Sequence, residues 1–208
     1  IGKSSIKLDQ LAFKGVSSND QFPNGDFESW TTAESDEPDN WLSLNLLTLF
    51  NDKRMLTKTS DAQKGNYAAK IENVATLGLD TFGILFYGNI GFGMIDTALN
   101  GIPLDTKNPT SITGYYKYLP NGNDTAIAGY MLEQYDNQGD SSIVLEEKII
   151  SLQPANSYQQ FELMVDYDSS LVADTLNLVF ASGRIRDTVF LGNYGSQLYI
   201  DNIKINYG

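Results

Sequence analysis

The chain has no cysteine and no histidine in 208 residues. Without cysteine there is no disulfide, no thiolate metal site and no cysteine nucleophile. Without histidine the usual general base, the usual zinc ligand and the Ser-His-Asp triad are all missing. A bound metal would therefore be a hard cation held by oxygen. Basic residues are scarce too: 14 Lys and Arg stand against 26 Asp and Glu, a net charge of -12. That balance argues against nucleic acid and anionic membranes as partners, because like charge repels them. No apolar run approaches the ~20 residues of a membrane-spanning helix. No initiator Met precedes Ile1. The chain reads as a trimmed or mature segment, which leaves room for an upstream signal, lipid anchor or domain.

Long helical periodicity is almost absent as well, and turn signals fill its place. They recur at Asn24-Gly25, Lys64-Gly65-Asn66, Gly88-Asn89, Asn108-Pro109, Pro120-Asn121-Gly122-Asn123, Asn137-Gln138-Gly139-Asp140 and Gly192-Asn193. Short β-branched and aromatic runs lie between them, the pattern of a β-sandwich or barrel. Several runs alternate with period two. Phe161, Leu163, Val165 and Tyr167 fall on one face, as do Leu176, Leu178 and Phe180. Ile112, Tyr116 and Tyr118 share a face, with Thr113, Tyr115 and Lys117 opposite. Each such run predicts a strand with one side on a core.

In the last run, Leu198 and Ile200 set one phase while Ile203, Ile205 and Tyr207 set the other. The slip at Asp201-Asn202 predicts a β-bulge that keeps both halves facing inward and re-aims Asp201. Residues 1–21 read as an extension, with one strand over Ser4–Phe13 and a polar linker from Gly15 to Gln21. Residues 22–208 read as the principal domain. Trp41 is expected in its core.

Four segments carry a resemblance to a known family: Phe22 to Trp30 with Pro38-Asp39-Asn40-Trp41, Lys64 to Ile71, Pro109 to Tyr118, and Gly195 to Tyr207. In this order and spacing the chain resembles the putative carbohydrate metabolism domain family, a bacterial β-jelly-roll of exported proteins. The resemblance implies an all-β, galactose-binding-like jelly-roll β-sandwich. It also implies that the first and last strands meet, and a looser connection with carbohydrate, since fold alone does not fix function.

Three candidate sites follow. The first is a structural calcium, which takes six to eight oxygens. Asp26, Glu28 and Asp201 would supply carboxylates, and the turn at Lys64-Gly65-Asn66 would supply carbonyls, as related sandwiches use that loop. The second is a sugar platform, in which Tyr rings pack against the C–H faces of sugars and polar neighbours bind the hydroxyls. Its candidates are Tyr115 and Lys117 on the outer side of their strand, Tyr130, Glu133 and Tyr135 on a plausible neighbouring strand, and Tyr87, Phe92 and Tyr194 beside glycine-rich loops. The third is a pair of catalytic carboxylates. The densest pairs are Glu133 with Asp136 and Glu146 with Glu147, but adjacent strand residues point to opposite faces. The function that fits best is non-catalytic glycan binding by an exported bacterial protein, at the cell surface, in the periplasm or outside the cell. The alternatives are a glycoside hydrolase and an adhesion module that binds another protein.

Overall fold

In a sandwich one side of each strand is buried and the other is not, so period-two patterning and burial should coincide. They do in the computed structural model of the protein. It describes residues 5–12, 14, 24, 27–29, 34–49, 51–76, 79–81, 83–88, 101–104, 109–135, 142–167, 171–186 and 189–207. The chain forms two compact units, residues 1–34 and Ser35–Gly208.

The strands of the larger unit are β1 (Leu42–Ser43), β2 (Leu56–Thr59), β3 (Ala68–Glu72), β4 (Val74–Thr76) and β5 (Leu79–Thr81). They continue with β6 (Ile84–Tyr87), β7 (Ile102–Pro103), β8 (Pro109–Leu119), β9 (Ala126–Tyr135) and β10 (Ser142–Leu152). The last are β11 (Ala155–Met164), β12 (Thr175–Ala181), β13 (Arg184–Arg186), β14 (Val189–Leu191) and β15 (Gln197–Tyr207). One 3-10 turn, Asn45–Thr48, follows β1. Two antiparallel sheets make the jelly-roll sandwich. One runs β1-β6-β12-β9-β10, with β7 also on β12, and the other runs β11-β8-β15-β3-β2.

Ile112, Tyr116 and Tyr118 of β8, Phe161 and Leu163 of β11, Leu176, Leu178 and Phe180 of β12, and Leu198 and Ile200 of β15 meet in one buried core. These are the faces the alternation assigned. The outer side of the first sheet carries a second, smaller cluster of Ile84, Phe86, Ile127 and Ala181 under Leu42 and Leu44.

The bulge in β15 forms where the phase slips. Asp201 pairs with Tyr115 and Lys204 with Thr113, so Asn202 and Ile203 together oppose Gly114. Asn202 takes a left-handed backbone, φ 52°, a conformation asparagine tolerates better than most residues. Beyond it, Ile203 and Ile205 pack against the core again. Gly114 is required here, because a Cβ would lie 2.7 Å from the Phe161 ring.

In the N-terminal unit, residues 5–12 are not in a strand, and Ile6 is 82% exposed. The expected strand over Ser4–Phe13 is therefore absent among the described residues, where that segment has no ladder partner. In the motif from Phe22 to Trp30, Asn24 and residues 27–29 are described, and they form a loop in place of the expected strand. The reason is local: the Asn24 side chain donates to the Ser29 carbonyl and accepts from the Ser29 N–H, both at 2.8 Å. Those are the groups a strand would give to a neighbour.

Candidate functional site

A cleft of ≈ 410 Å³ opens between the two sheets on the side where β1 and β2 are edge strands. Its floor is apolar, with Leu56, Ala69, Leu85 and Ile200. Its walls are the 36–41 segment, Thr57 and Lys58 of β2, Tyr67 just before β3, and Asp201 and Asn202 at the bulge.

Each wall has a visible support. Asn45 is buried, and its side-chain amide donates to the Leu56 carbonyl (2.9 Å) and accepts from the Leu56 N–H (2.8 Å). It thus acts as a short extra strand on β2 and holds the preceding loop beside that edge. Glu37 accepts from the hydroxyls of Ser35 and Ser43, at 2.9 and 3.0 Å. Trp41 packs edge-on against Tyr87, with ring centroids 5.4 Å apart, and tilted against Phe180. On the opposite side the bulge turns the Asp201 carboxylate onto the loop between β2 and β3. One oxygen accepts from the Gln63 and Lys64 N–H groups at 2.8 and 2.9 Å, and the other from the Asn202 N–H at 2.7 Å.

The cleft therefore presents an indole edge fixed by the core, a phenol that is 59% exposed at Tyr67, and carboxylates at Asp36, Glu37 and Asp201. Lys58 is the one ammonium among the described residues of its lining, with Nζ 5.2 Å from the centre of the Tyr67 ring. Aromatic area beside a few fixed polar groups is the composition of a small-molecule groove.

Of the described ligand and metal candidates in the larger unit, Asp201 alone lines this cleft. Tyr115 and Lys117 are on the outer side of the five-stranded sheet, as the alternation implied. Lys117 is only 8% exposed, since Tyr199, Tyr158 and Asp61 enclose it. Its ammonium is paired with the Asp61 carboxylate and lies 4.0 Å from the Tyr199 ring centre. The Tyr158 hydroxyl donates to the Asp61 carbonyl at 2.6 Å, and burial pushes the phenols of Tyr158 and Tyr199 upward. On the same sheet, Glu72 is bridged to Lys53 and Lys70 at 2.8 and 2.7 Å. Burial alone would raise its carboxyl, but the hydrogen bonds and charges of the two lysines hold it below the usual range.

Tyr130, Glu133 and Tyr135 belong to β9, which is not a neighbour of β8: in this topology β9 lies in the opposite sheet. The chain crosses the sandwich after Leu119 instead of turning back beside itself. Tyr130 faces the core, with its hydroxyl on the Met164 carbonyl at 3.0 Å. Glu133 is buried and accepts from Ser142 (2.5 Å) and Asn177 (2.6 Å). Tyr135 is exposed at the end of its strand. Tyr87 braces Trp41 from behind. Tyr194 is exposed on a distant turn, with the Lys53 ammonium 5.2 Å from its ring centre. Phe92 and Asp136 lie outside the described residues. Trp41, expected in the core, packs on it and also lines the cleft.

Of the calcium ligands, Asp26 lies outside the described residues and Glu28 belongs to the N-terminal unit. Lys64 and Asn66 are exposed in the loop that Asp201 holds. Among the described residues no three acidic side chains are placed to share a metal ion. Asp201 gives both of its oxygens to backbone N–H groups.

A jelly-roll sandwich with an aromatic cleft at one edge defines the class structurally. A solved structure of a "putative glycoside hydrolase" from Bacteroides thetaiotaomicron matches it with a TM-score of 0.65 at 16% sequence identity, over 100% of this chain and 72% of that one. That likeness is one of fold. A family 61 carbohydrate-binding module in complex with β-1,4-galactotriose gives a TM-score of 0.45 at 11% identity, over 82% of this chain and 90% of its own. The family 11 module of Clostridium thermocellum, in complex with a β-1,3-1,4-mixed-linked tetrasaccharide, gives 0.43 at 12%, over 83% and 91%. No family model matches the chain, and no curated protein matches it in sequence. No helix among the described residues is long and apolar enough to cross a membrane.

Proposed function

We propose that the unit from Ser35 to Gly208 is a non-catalytic carbohydrate-binding module of an exported protein, and that the sugar sits in the cleft between Trp41 and Tyr67. The observation that carries this is the cleft itself: one half-buried indole and one exposed phenol at a groove of ≈ 410 Å³, with Asp36, Lys58 and Asn202 at hand for hydroxyls. Sugar rings offer flat C–H faces to aromatic rings and polar edges to carboxylates, amides and ammonium groups. Two of the cleft carboxylates, Glu37 and Asp201, already accept hydrogen bonds from the protein. This suits holding a ligand better than moving a proton.

A glycan array followed by titration of Trp fluorescence tests the proposal. Trp30 is the only other tryptophan, so a Trp30→Phe background isolates Trp41. The bound glycan should change that emission. Tyr67→Ala should weaken binding about tenfold while altering stability by less than about 0.5 kcal/mol, since the ring is exposed. Tyr115→Ala, outside the cleft, should bind as the parent does. Loss of binding in Tyr115→Ala but not in Tyr67→Ala would move the site to the outer side of the five-stranded sheet.

A structural calcium is part of this reading on the strength of the sequence resemblance alone. It requires calcium to raise the melting temperature and Glu28→Ala to abolish the rise. An unchanged wild-type melting temperature removes it.

A further inference from the structure

This inference rests on the cleft being the sugar site and concerns which sugars it takes. Among the described residues three carboxylates, Asp36, Glu37 and Asp201, line the cleft against the single ammonium of Lys58. The bonds that fix Glu37 and Asp201 come from neutral donors, two serine hydroxyls and three backbone N–H groups. They orient the carboxylates without cancelling their charge. Lys58 stands over the Tyr67 ring and is the sole cation among the described residues of the lining. The surplus negative charge lies in a concave, partly apolar lining, where fields are screened less than on an open surface. The net charge of -12 on the whole chain has the same sign.

We infer that the cleft takes uncharged glycans and rejects those that carry uronate or sulfate. A neutral sugar brings hydroxyl donors, and a vicinal pair of hydroxyls matches the two oxygens of a carboxylate. An acidic sugar brings a second anion into the same space, with one lysine to offset it. At about 6 Å and surface-like screening such repulsion is enough for about a tenfold loss of affinity.

The test uses oligouronates and their own carboxyl-reduced forms, identical but for charge, printed beside neutral glucans, galactans, xylans and mannans. Binding is expected among the neutral glycans, and each uronate should bind at least about tenfold more weakly than its reduced form. The gap should narrow as salt rises, because screening shortens the reach of the repulsion. It should also narrow in Asp36→Asn, which removes one charge and leaves both rings in place. Uronates that bind as tightly as their reduced forms, or a gap unmoved by both salt and Asp36→Asn, would overturn the charge selection and leave the sugar site standing. Binding of no glycan at all would overturn the sugar site, and this inference with it.

Discussion

Asn73→Asp is expected to destabilise the protein by about 4 kcal/mol at neutral pH. Asn73 is fully buried at one end of the sandwich. Its side-chain nitrogen donates to the Asp124 carboxylate and to the Ser182 carbonyl, both at 3.2 Å. Its oxygen accepts from the Gly83 N–H at 2.8 Å and the Ser182 hydroxyl at 2.5 Å. Its main chain is tied to the turn before β15, through Asn73 N–H to the Ser196 carbonyl and Gly195 N–H to the Asn73 carbonyl. The approach is so close that a Cβ on Gly192 would sit 2.3 Å from the Asn73 amide nitrogen. Asp124, in turn, accepts from the Asn193 N–H and the Ser196 hydroxyl, each at 2.6 Å.

One amide thus joins the ends of β3 and β12, the start of β6, the loop after β8 and the turn into β15. Replacing its NH2 by oxygen loses two donors and sets a buried carboxylate against the half-buried Asp124 carboxylate. At 2–4 °C per kcal/mol for a domain of this size, the melting temperature should fall by roughly 8–16 °C. Protonation restores a donor, so the gap to the parent should shrink as the pH is taken from about 7 to about 5. Thermal melts at both pH values check this. A loss of less than about 1 kcal/mol at neutral pH would mean that the network does not lock this end of the sandwich.

Asp201→Ala comes second, at about 3 kcal/mol, and it joins stability to binding. The side chain accepts three backbone N–H bonds and holds the loop between β2 and β3 against the bulge of β15. Bonds to a charged acceptor are the stronger kind. Without it, the N–H groups of Gln63, Lys64 and Asn202 turn to water and the loop that leads to Tyr67 loses its anchor. Those three amides should exchange with solvent faster, while amides of the β8–β9 core keep their protection. Glycan affinity should fall with them, because Asp201 is itself part of the cleft wall. Unchanged exchange at Gln63 and Lys64 would show that the loop stands without the carboxylate.

For β8, β11 and β12 the sequence by itself determined the strand and its buried side, whereas the strands expected over Ser4–Phe13 and in the Phe22–Trp30 motif did not form among the described residues. Alternation depends only on neighbours along the chain, and Ile112, Tyr116, Tyr118, Phe161 and Leu163 went inward as their spacing required. The phase slip located the bulge at Asp201-Asn202, with Leu198 and Ile200 before it and Ile203 and Ile205 after it packed on the core, while Tyr207, expected inward with them, is exposed. Tertiary structure decided everything that depends on which strands lie side by side. It put β9 across the sandwich from β8 and so separated Tyr115 and Lys117 from Tyr130, Glu133 and Tyr135. It enclosed Lys117 between two rings and a carboxylate that alternation along one strand cannot see. It brought Trp41 and Tyr67, 26 positions apart in the chain, to one groove. Pro38 to Trp41 and Lys64 to Ile71 each stood out as a motif, but their meeting depends on Asn45 bonding to Leu56 and on the Asp201 clamp. Those are long-range contacts, and no local period encodes them.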